Sequence, residues 1–477
     1  MPAKPQPVEE HTYLNTQPPE LRIPDALTQI QNHLAKSSRR IAVLDDDPTG
    51  TQTVHGVPVL TTWTVEDLTW ALEQPSSTFY ILTNSRSLPE DEATEMNREI
   101  ATNLAAASGE TGVEFVVTSR GDSTLRGHYP AETDALSEAL GGGFDGVILC
   151  PCYLEAGRLT VEDIQWVRQG DKLAPAGETE FARDASFGYS ASDLREWVEE
   201  KTEGRLAATE VVSVGLQDIR EGGPGRVAED LCSVAGGSPI VVNAASYADL
   251  EVFVLGLLDA EEAWKRFLYR TGPSFVRARG GITEKGPLSA EELYRCRPRR
   301  GHGLVLVGSH VAMTTRQIEA AVALDGVRAV ELSVPKLLDE KRSGELDRAV
   351  DEVNDELREA EVVVYTSREV IGGGETRTGF DIGQSVSDAL VEVLDRVDRQ
   401  IPLAYVVAKG GITSSDVATK GLKVRRAEVA GQMLPGIISV WTLPEDGEFP
   451  GLPYIIFAGN VGDDDSLAKV IDILREE

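Results

Sequence analysis

The chain is short of several things, and each shortage removes a class of protein. Cysteine occurs 4 times in 477 residues and never as Cys-x-x-Cys, which argues against a disulfide scaffold or a cysteine-bound zinc module. Cys150 and Cys152 close an apolar run and read as buried packing. Basic residues are outnumbered as well, 46 Lys+Arg against 78 Asp+Glu, for a formal charge of −32. Residues 301–477 hold 18 basic and 31 acidic side chains, so the imbalance runs through the chain and no basic arm offsets it. Such a surface repels phosphate backbones and anionic lipids, and neither nucleic acid nor membrane is an expected partner. No apolar run nears the ~20 residues a spanning helix requires. The opening Met-Pro-Ala-Lys-Pro-Gln-Pro lacks the apolar stretch of a secretion signal, so the expected location is cytoplasmic.

Stock motifs are missing too. There is no G-x-x-x-x-G-K-[ST], H-E-x-x-H or G-x-S-x-G. One G-x-G-x-x-G match, Gly141–Gly146, precedes an apolar strand where a pyrophosphate turn follows one, and it reads as an ordinary loop.

What is present is an alternation of short β-branched runs and helical stretches. The length suggests two or three domains at roughly 150 residues each. The first series of strands is expected at Ile41–Leu44, Phe79–Leu82, Glu114–Thr118, Val147–Leu149 and Ile240–Val242. A helix is expected over Ala191–Lys201 with Ser192 as its N-cap. A second series, Leu304–Val307, Val362–Tyr365, Ala404–Val407 and Tyr454–Phe457, ends in the helix Ser466–Leu474. This pattern predicts an α/β protein of two doubly wound, mostly parallel-sheet domains facing each other across a cleft. The expected boundaries are an N-terminal arm over 1–38, a substrate domain over 39–250, a connecting segment over 251–300 and a second domain over 301–477.

Ligands of open parallel sheets bind beyond the carboxyl ends of the strands, so polar clusters there carry the functional reading. Asp45-Asp46-Asp47 directly follows the first strand. Three adjacent acids suit a general base or contacts to substrate hydroxyls, and they also suit an Asp- and Gly-rich turn. Thr118 to His128 brings Arg120, Asp122, Ser123, Thr124 and Arg126 into eleven residues with almost no core-forming content. Arg86 and Arg158 sit in similar loops. Arginines clustered in an acidic protein point to a small anionic substrate, with Arg126 able to grip a carboxylate. Further along, Gly308-Ser309, Gly410-Gly411-Ile412-Thr413 and Gly459-Asn460 each follow a strand. Glycines there let backbone N–H groups approach phosphate oxygens. Asp463-Asp464-Asp465 opens a helix, where acids are favoured in any case.

Together these segments resemble the four-carbon acid sugar kinase family. Asp46-Asp47-Pro48-Thr49-Gly50 matches its Asp-Asp-x-Thr-Gly segment. Asp122–Gly127 matches its Asp-Ser-Thr-Leu-Arg-Gly segment in full, and Pro151 through Thr160 matches its Pro-x-x-x-x-x-Gly-Arg-x-Thr stretch. Gly308, Gly410 and Gly459 fall in the family's order. Arg120, His128 and the late Phe-Ala-Gly-Asn-Val-Gly run depart from it. The resemblance implies an N-terminal sugar-acid-binding domain, a C-terminal ATP-binding domain and Mg²⁺-dependent phosphoryl transfer to a hydroxyl of a small sugar acid. It assigns Asp46, Arg86, Asp122, Arg126 and Arg158 to the substrate, where the cluster reading adds Asp45 and Ser123. Ser309, Gly410, Gly411, Thr413, Gly459 and Asn460 fall to ATP. Asp122 or Asp46 would act as base, and no metal ligand is specified. A catalytically silent sugar-acid binder and a kinase of a larger hydroxy acid stay open, as does a homodimer.

Overall fold

The structure is a computed structural model that describes residues 5–37, 39–47, 49–295, 297–367, 379–434, 438–459 and 461–476, with the backbone alone for 379–381. It divides into two compact units: residues up to Thr53 with Thr62–Glu284, and Val54–Thr61 with the chain from Lys285 onward.

The first unit is built on seven parallel strands. In chain order they are β1 (Arg40–Asp45), β2 (Thr78–Leu82), β3 (Phe115–Arg120), β4 (Gly146–Cys150), β5 (Val212–Val214), β6 (Ser238–Val242) and β7 (Phe267–Thr271), and they lie side by side as β5-β6-β4-β7-β3-β1-β2. Strands covered on both faces need apolar residues throughout, and Ile41-Ala42-Val43-Leu44 and Ile240-Val241-Val242 meet that need, all fully buried. A four-stranded antiparallel sheet of Val8–Glu9, Lys172–Pro175, Ile164–Gln169 and Arg158–Val161 accompanies it.

The second unit continues the chain-order count with β8 (His302–Val307), β9 (Val327–Leu332), β10 (Glu361–Thr366), β11 (Leu403–Lys409), β12 (Arg426–Leu434), β13 (Ile438–Thr442) and β14 (Pro453–Phe457). Strands β14-β11-β8-β10-β9 are parallel, and β13, β12 and the strand Val57–Leu60 extend them with antiparallel pairings. Ile318 and Ala321 of helix Ala312–Val322 and Leu467, Val470, Ile471 and Leu474 of helix Ser466–Arg475 pack on Val305, Val307, Tyr405, Val407 and Phe457.

Several boundaries differ from expectation. The stretch expected to connect the domains holds a core helix of the first unit, Tyr247–Glu262, which buries Leu250, Phe253, Val254 and Leu257, followed by the interior strand β7. The Arg/Pro-rich segment after Tyr294 lies inside the second unit, where Arg299 pairs with buried Glu361 at 2.6 Å. The arm is in part structured, since helix Ala26–Lys36 buries Ile30 and Leu34 against Tyr247–Glu262. Asp193 caps the helix Leu194–Lys201 by accepting from the Arg195 N–H, while Ser192 Oγ accepts from Gly177 N–H. Among the described residues no helix is long and apolar enough to cross a membrane.

Candidate active site

In the first unit the polar residues gather where β7, β3, β1 and β2 end. Asp45 is 1% exposed and Asp46 3% exposed. Asp45 Oδ1 accepts from Arg120 Nη1 at 3.0 Å and from the Asp47 N–H at 3.2 Å. Burial dominates its titration and pushes the Asp45 carboxyl up to about 7, against the pull of Arg120. Asp46 differs from its neighbour. Arg120 lies 3.8 Å and Arg86 4.0 Å from its Oδ1, yet neither carboxylate oxygen accepts a hydrogen bond. Arg86 also pairs with Asp47, and with Asp122 at 3.6 Å.

Asp122 is the most heavily engaged acid of the cluster. Arg126 Nε donates to its Oδ2 at 2.6 Å, and the Thr124 hydroxyl donates to the same atom. Burial works against its charge, but the guanidinium groups of Arg86 and Arg126 outweigh burial and hold the carboxyl well below the usual carboxylate range. Ser123 is buried, with its carbonyl accepting from Gln165 Nε2 at 2.8 Å. The His128 ring contacts the Leu88 carbonyl at 3.0 Å and meets Phe187 edge-on, a packing role.

The arginines divide by partner. Arg86 and Arg126 are paired with acids, Arg126 also with Asp184 at 3.6 Å. Arg158 has no carboxylate within ion-pair distance among the described residues, and its Nε is buried without a hydrogen bond. Its guanidinium lies 5.7 Å from the Phe181 ring centroid, and that of Arg126 lies 5.3 Å from the same ring. Phe181 thus contacts two cations.

Arg270, at the end of β7, has no place among the sequence expectations. It is 6% exposed, donates from Nη2 to the Arg126 carbonyl at 3.1 Å, and leaves Nη1 without a partner. A Cβ at Gly121 would overlap its guanidinium, so glycine there makes room for it. Arg270, Thr271, Trp197 and Asp122 line one small cavity, into whose walls the unpartnered Arg270 Nη1, Thr271 Oγ1 and Trp197 Nε1 are built. The signal for Arg270 was present as Tyr269-Arg270-Thr271-Gly272, a polar pair and a glycine ending an apolar run. Buried Glu132 is a second addition; it accepts from Ser85 Oγ at 2.5 Å, and burial raises its pKa.

In the second unit the glycine segments meet at the ends of β8, β11 and β14. The N–H groups of Gly308 and Ser309 reach the Lys409 carbonyl at 3.1 and 3.3 Å, and the Gly410 N–H reaches the Phe457 carbonyl at 2.9 Å. Thr314 Oγ1 bridges Ser309 Oγ at 3.0 Å and the Gly459 carbonyl at 2.9 Å. A Cβ at Gly459 would stand 2.7 Å from Ser309 Oγ, and one at Gly308 would overlap Thr413 Oγ1. Ser309, Gly410, Thr413 and Gly459 therefore share one backbone-lined cradle, with Gly411 opening the helix Gly411–Asp416 beside it. Asn460 lies outside the described residues. Asp463 caps its own helix start through Ser466 and pairs with Lys469, and Asp464 pairs with Arg316, so both acids have local partners.

Residues 41–279 match the sugar-binding N-terminal domain family, and residues 304–467 match the nucleotide-binding C-terminal domain family. The fold and its two strand-end sites thus define a two-domain α/β protein that joins a sugar-binding unit to a nucleotide-binding one. A D-erythronate kinase from Heliobacterium modesticaldum is 26% identical over 414 residues, covering 83% of this chain and 86% of the relative. A D-threonate kinase from Salmonella typhimurium is 25% identical over 425 residues, covering 85% and 91%. The chain belongs to the four-carbon acid sugar kinase family. Two solved structures share its fold at 18% identity. One is a Haemophilus influenzae protein from a domain family of unknown function, covering 91% of this chain and 100% of that one with a TM-score of 0.63. The other is a Salmonella typhimurium protein, covering 91% and 98% with a TM-score of 0.66.

Proposed function

We propose that the protein phosphorylates a hydroxyl of a small, four-carbon sugar acid with ATP and Mg²⁺. The observation that carries this reading is a mismatch inside the first unit. Two guanidinium groups, Arg158 and Arg270, have no carboxylate within ion-pair distance among the described residues, while the Asp46 carboxylate has two oxygens with no donor. Unsatisfied buried polar atoms are costly, and a ligand bearing one carboxylate and several hydroxyls complements both sets at once. Arg158 with Arg126, both in contact with Phe181, takes the carboxylate in this scheme. Asp46 accepts the proton of the reacting hydroxyl. Asp122 is held too acidic to be an effective base at neutral pH and instead orients Arg86, Arg126 and the substrate. Asp45 fixes Arg120 from below.

The second unit's cradle fits a polyphosphate. Its glycines leave room that side chains would fill, and Ser309, Thr413 and Thr314 add hydroxyls. When bound, ATP would supply the phosphoryl group and Mg²⁺ would offset the charge developing on it. The chain's own part is positioning and charge neutralisation. The relatives named as erythronate and threonate kinases support the substrate size. The test is ADP release with erythronate, threonate and longer hydroxy acids, alongside calorimetry with each ligand separately. Turnover confined to four-carbon acids is expected. Turnover only on longer acids moves the substrate class, and sugar-acid binding without Mg·ATP binding makes the protein a silent binder.

A further inference from the structure

Lys409 is the last residue of β11, a strand whose seven residues are all buried, and its side chain is 0% exposed. Apolar strands rarely accommodate an ammonium group, because removing it from water costs several kcal/mol unless an anion repays the loss. No carboxylate lies within ion-pair distance of Lys409 among the described residues. Its Nζ donates to the Ala458 carbonyl at 3.1 Å and sits 3.6 Å above the Phe457 ring centroid. A charged ammonium carries three donors, and a carbonyl and a ring face leave that charge incompletely compensated. Burial alone lowers its pKa to about 7.

The surroundings of Lys409 explain why the group is retained. Ala458 directly precedes Gly459, whose missing Cβ makes room for Ser309, and the Lys409 carbonyl receives the Gly308 and Ser309 N–H groups. The cradle is therefore built around this residue, backbone and side chain alike. Lys420, Lys469 and Arg316, on other elements of this unit, have acids of their own: Lys420 pairs with Asp416, Lys469 with Asp463 and Arg316 with Asp464.

We propose that Lys409 is the cation reserved for the nucleotide's phosphates, reaching them from beneath the Gly308–Gly410–Gly459 cradle and becoming fully protonated as they bind. This rests on the nucleotide reading of the second unit. Its consequence is that nucleotide binding takes up a proton, which backbone N–H groups and hydroxyls alone would not do.

The experiment is calorimetry of the full chain with Mg·ADP at pH 8, where the nucleotide's own phosphates are already deprotonated, in two buffers of different ionisation enthalpy. Wild type is expected to take up about 0.5–0.9 proton per nucleotide. Lys409→Met should bind at least about 10-fold more weakly with no uptake, and Lys409→Arg should recover affinity with no uptake, since its charge is permanent. Thermal melts report whether each variant folds, and if Lys409→Met does not, the wild-type proton count decides by itself. Nucleotide binding without proton uptake overturns the role of Lys409 and leaves the kinase reading standing. Absence of Mg·ADP binding by folded wild type overturns both.

Discussion

The two units arrange their polar groups in opposite ways. In the first, charge is supplied by side chains: Arg86, Arg120, Arg126, Arg158 and Arg270 interleave with Asp45, Asp46, Asp47, Asp122 and Glu132. In the second, glycines leave room among the hydroxyls of Ser309, Thr314 and Thr413, and the buried ammonium of Lys409 has no carboxylate within ion-pair distance among the described residues. A side-chain network places donors and acceptors atom by atom and so discriminates among hydroxy acids. A glycine cradle reads only the common shape of a phosphate. Under the proposed function, the contrast would put substrate selectivity in the first unit and a generic phosphate grip in the second.

The largest expected effect is on Asp46. Asp46→Asn should lower kcat by about 10²–10⁴-fold while the sugar acid's Kd moves by a few-fold, measured by steady-state rates and calorimetry. If Asp122→Asn has that signature instead, the division of labour between the two acids is reversed. Next comes Arg158→Met, which removes a charge-assisted contact of about 1.5–3 kcal/mol and should raise KM for the sugar acid by about 10–100-fold with ATP kinetics unchanged. A matching loss of ATP affinity would break the comparison. Smaller again is Gly459→Ala, whose Cβ would meet Ser309 Oγ at 2.7 Å; nucleotide binding should weaken by about 10-fold and sugar-acid binding should hold, both read by calorimetry.

The smallest effect sharpens the contrast through pH. Asp45 titrates at about 7 when folded against 3.8 unfolded, so the folded chain binds the extra proton between those values. Its contribution to stability is full below pH 4 and is lost as pH rises to 7. Lys409 titrates at about 7 when folded against 10.5 unfolded, so the unfolded chain holds the extra proton and stability rises between pH 7 and 10.5. Denaturant titrations should show Asp45→Asn flattening the lower window and Lys409→Met the upper, each by about 1 kcal/mol or more.

Much of this was legible in the sequence, and the exceptions share a cause. Apolar β-branched runs announced β1, β2, β4 and β8, and the polar residues after them fell at one end of each sheet because parallel strands point one way. Asp46, Asp122 and Arg126 were singled out on that logic, and the structure brings them together at one strand-end cluster. Arg270 was missed because Phe267–Thr271 lay in a stretch read as connecting chain, so its strand end was never inspected. Phe181 lies in the short 3₁₀ turn Glu180–Arg183, which has no periodic signal, and its contact with two arginines is set by tertiary packing. The antiparallel strand β12 was passed over because its alternation of buried with more exposed residues differs from the solid apolar runs of the parallel strands. Lys409 was visible as a strand-end residue, but its complete enclosure was not.

The strand Val57–Leu60 belongs to the second unit although the chain makes it before most of the first, pairing with Arg426–Val429 roughly 370 residues further on. At ~5–20 residues per second a ribosome needs roughly 20–70 s to deliver that partner. Until then the β12 side of this short segment has no partner strand. A fragment started at Lys285 would lack it and present the bare rim of β12 to any passing strand, so the shortest self-sufficient version of the carboxyl-terminal unit is one with residues 54–61 grafted back.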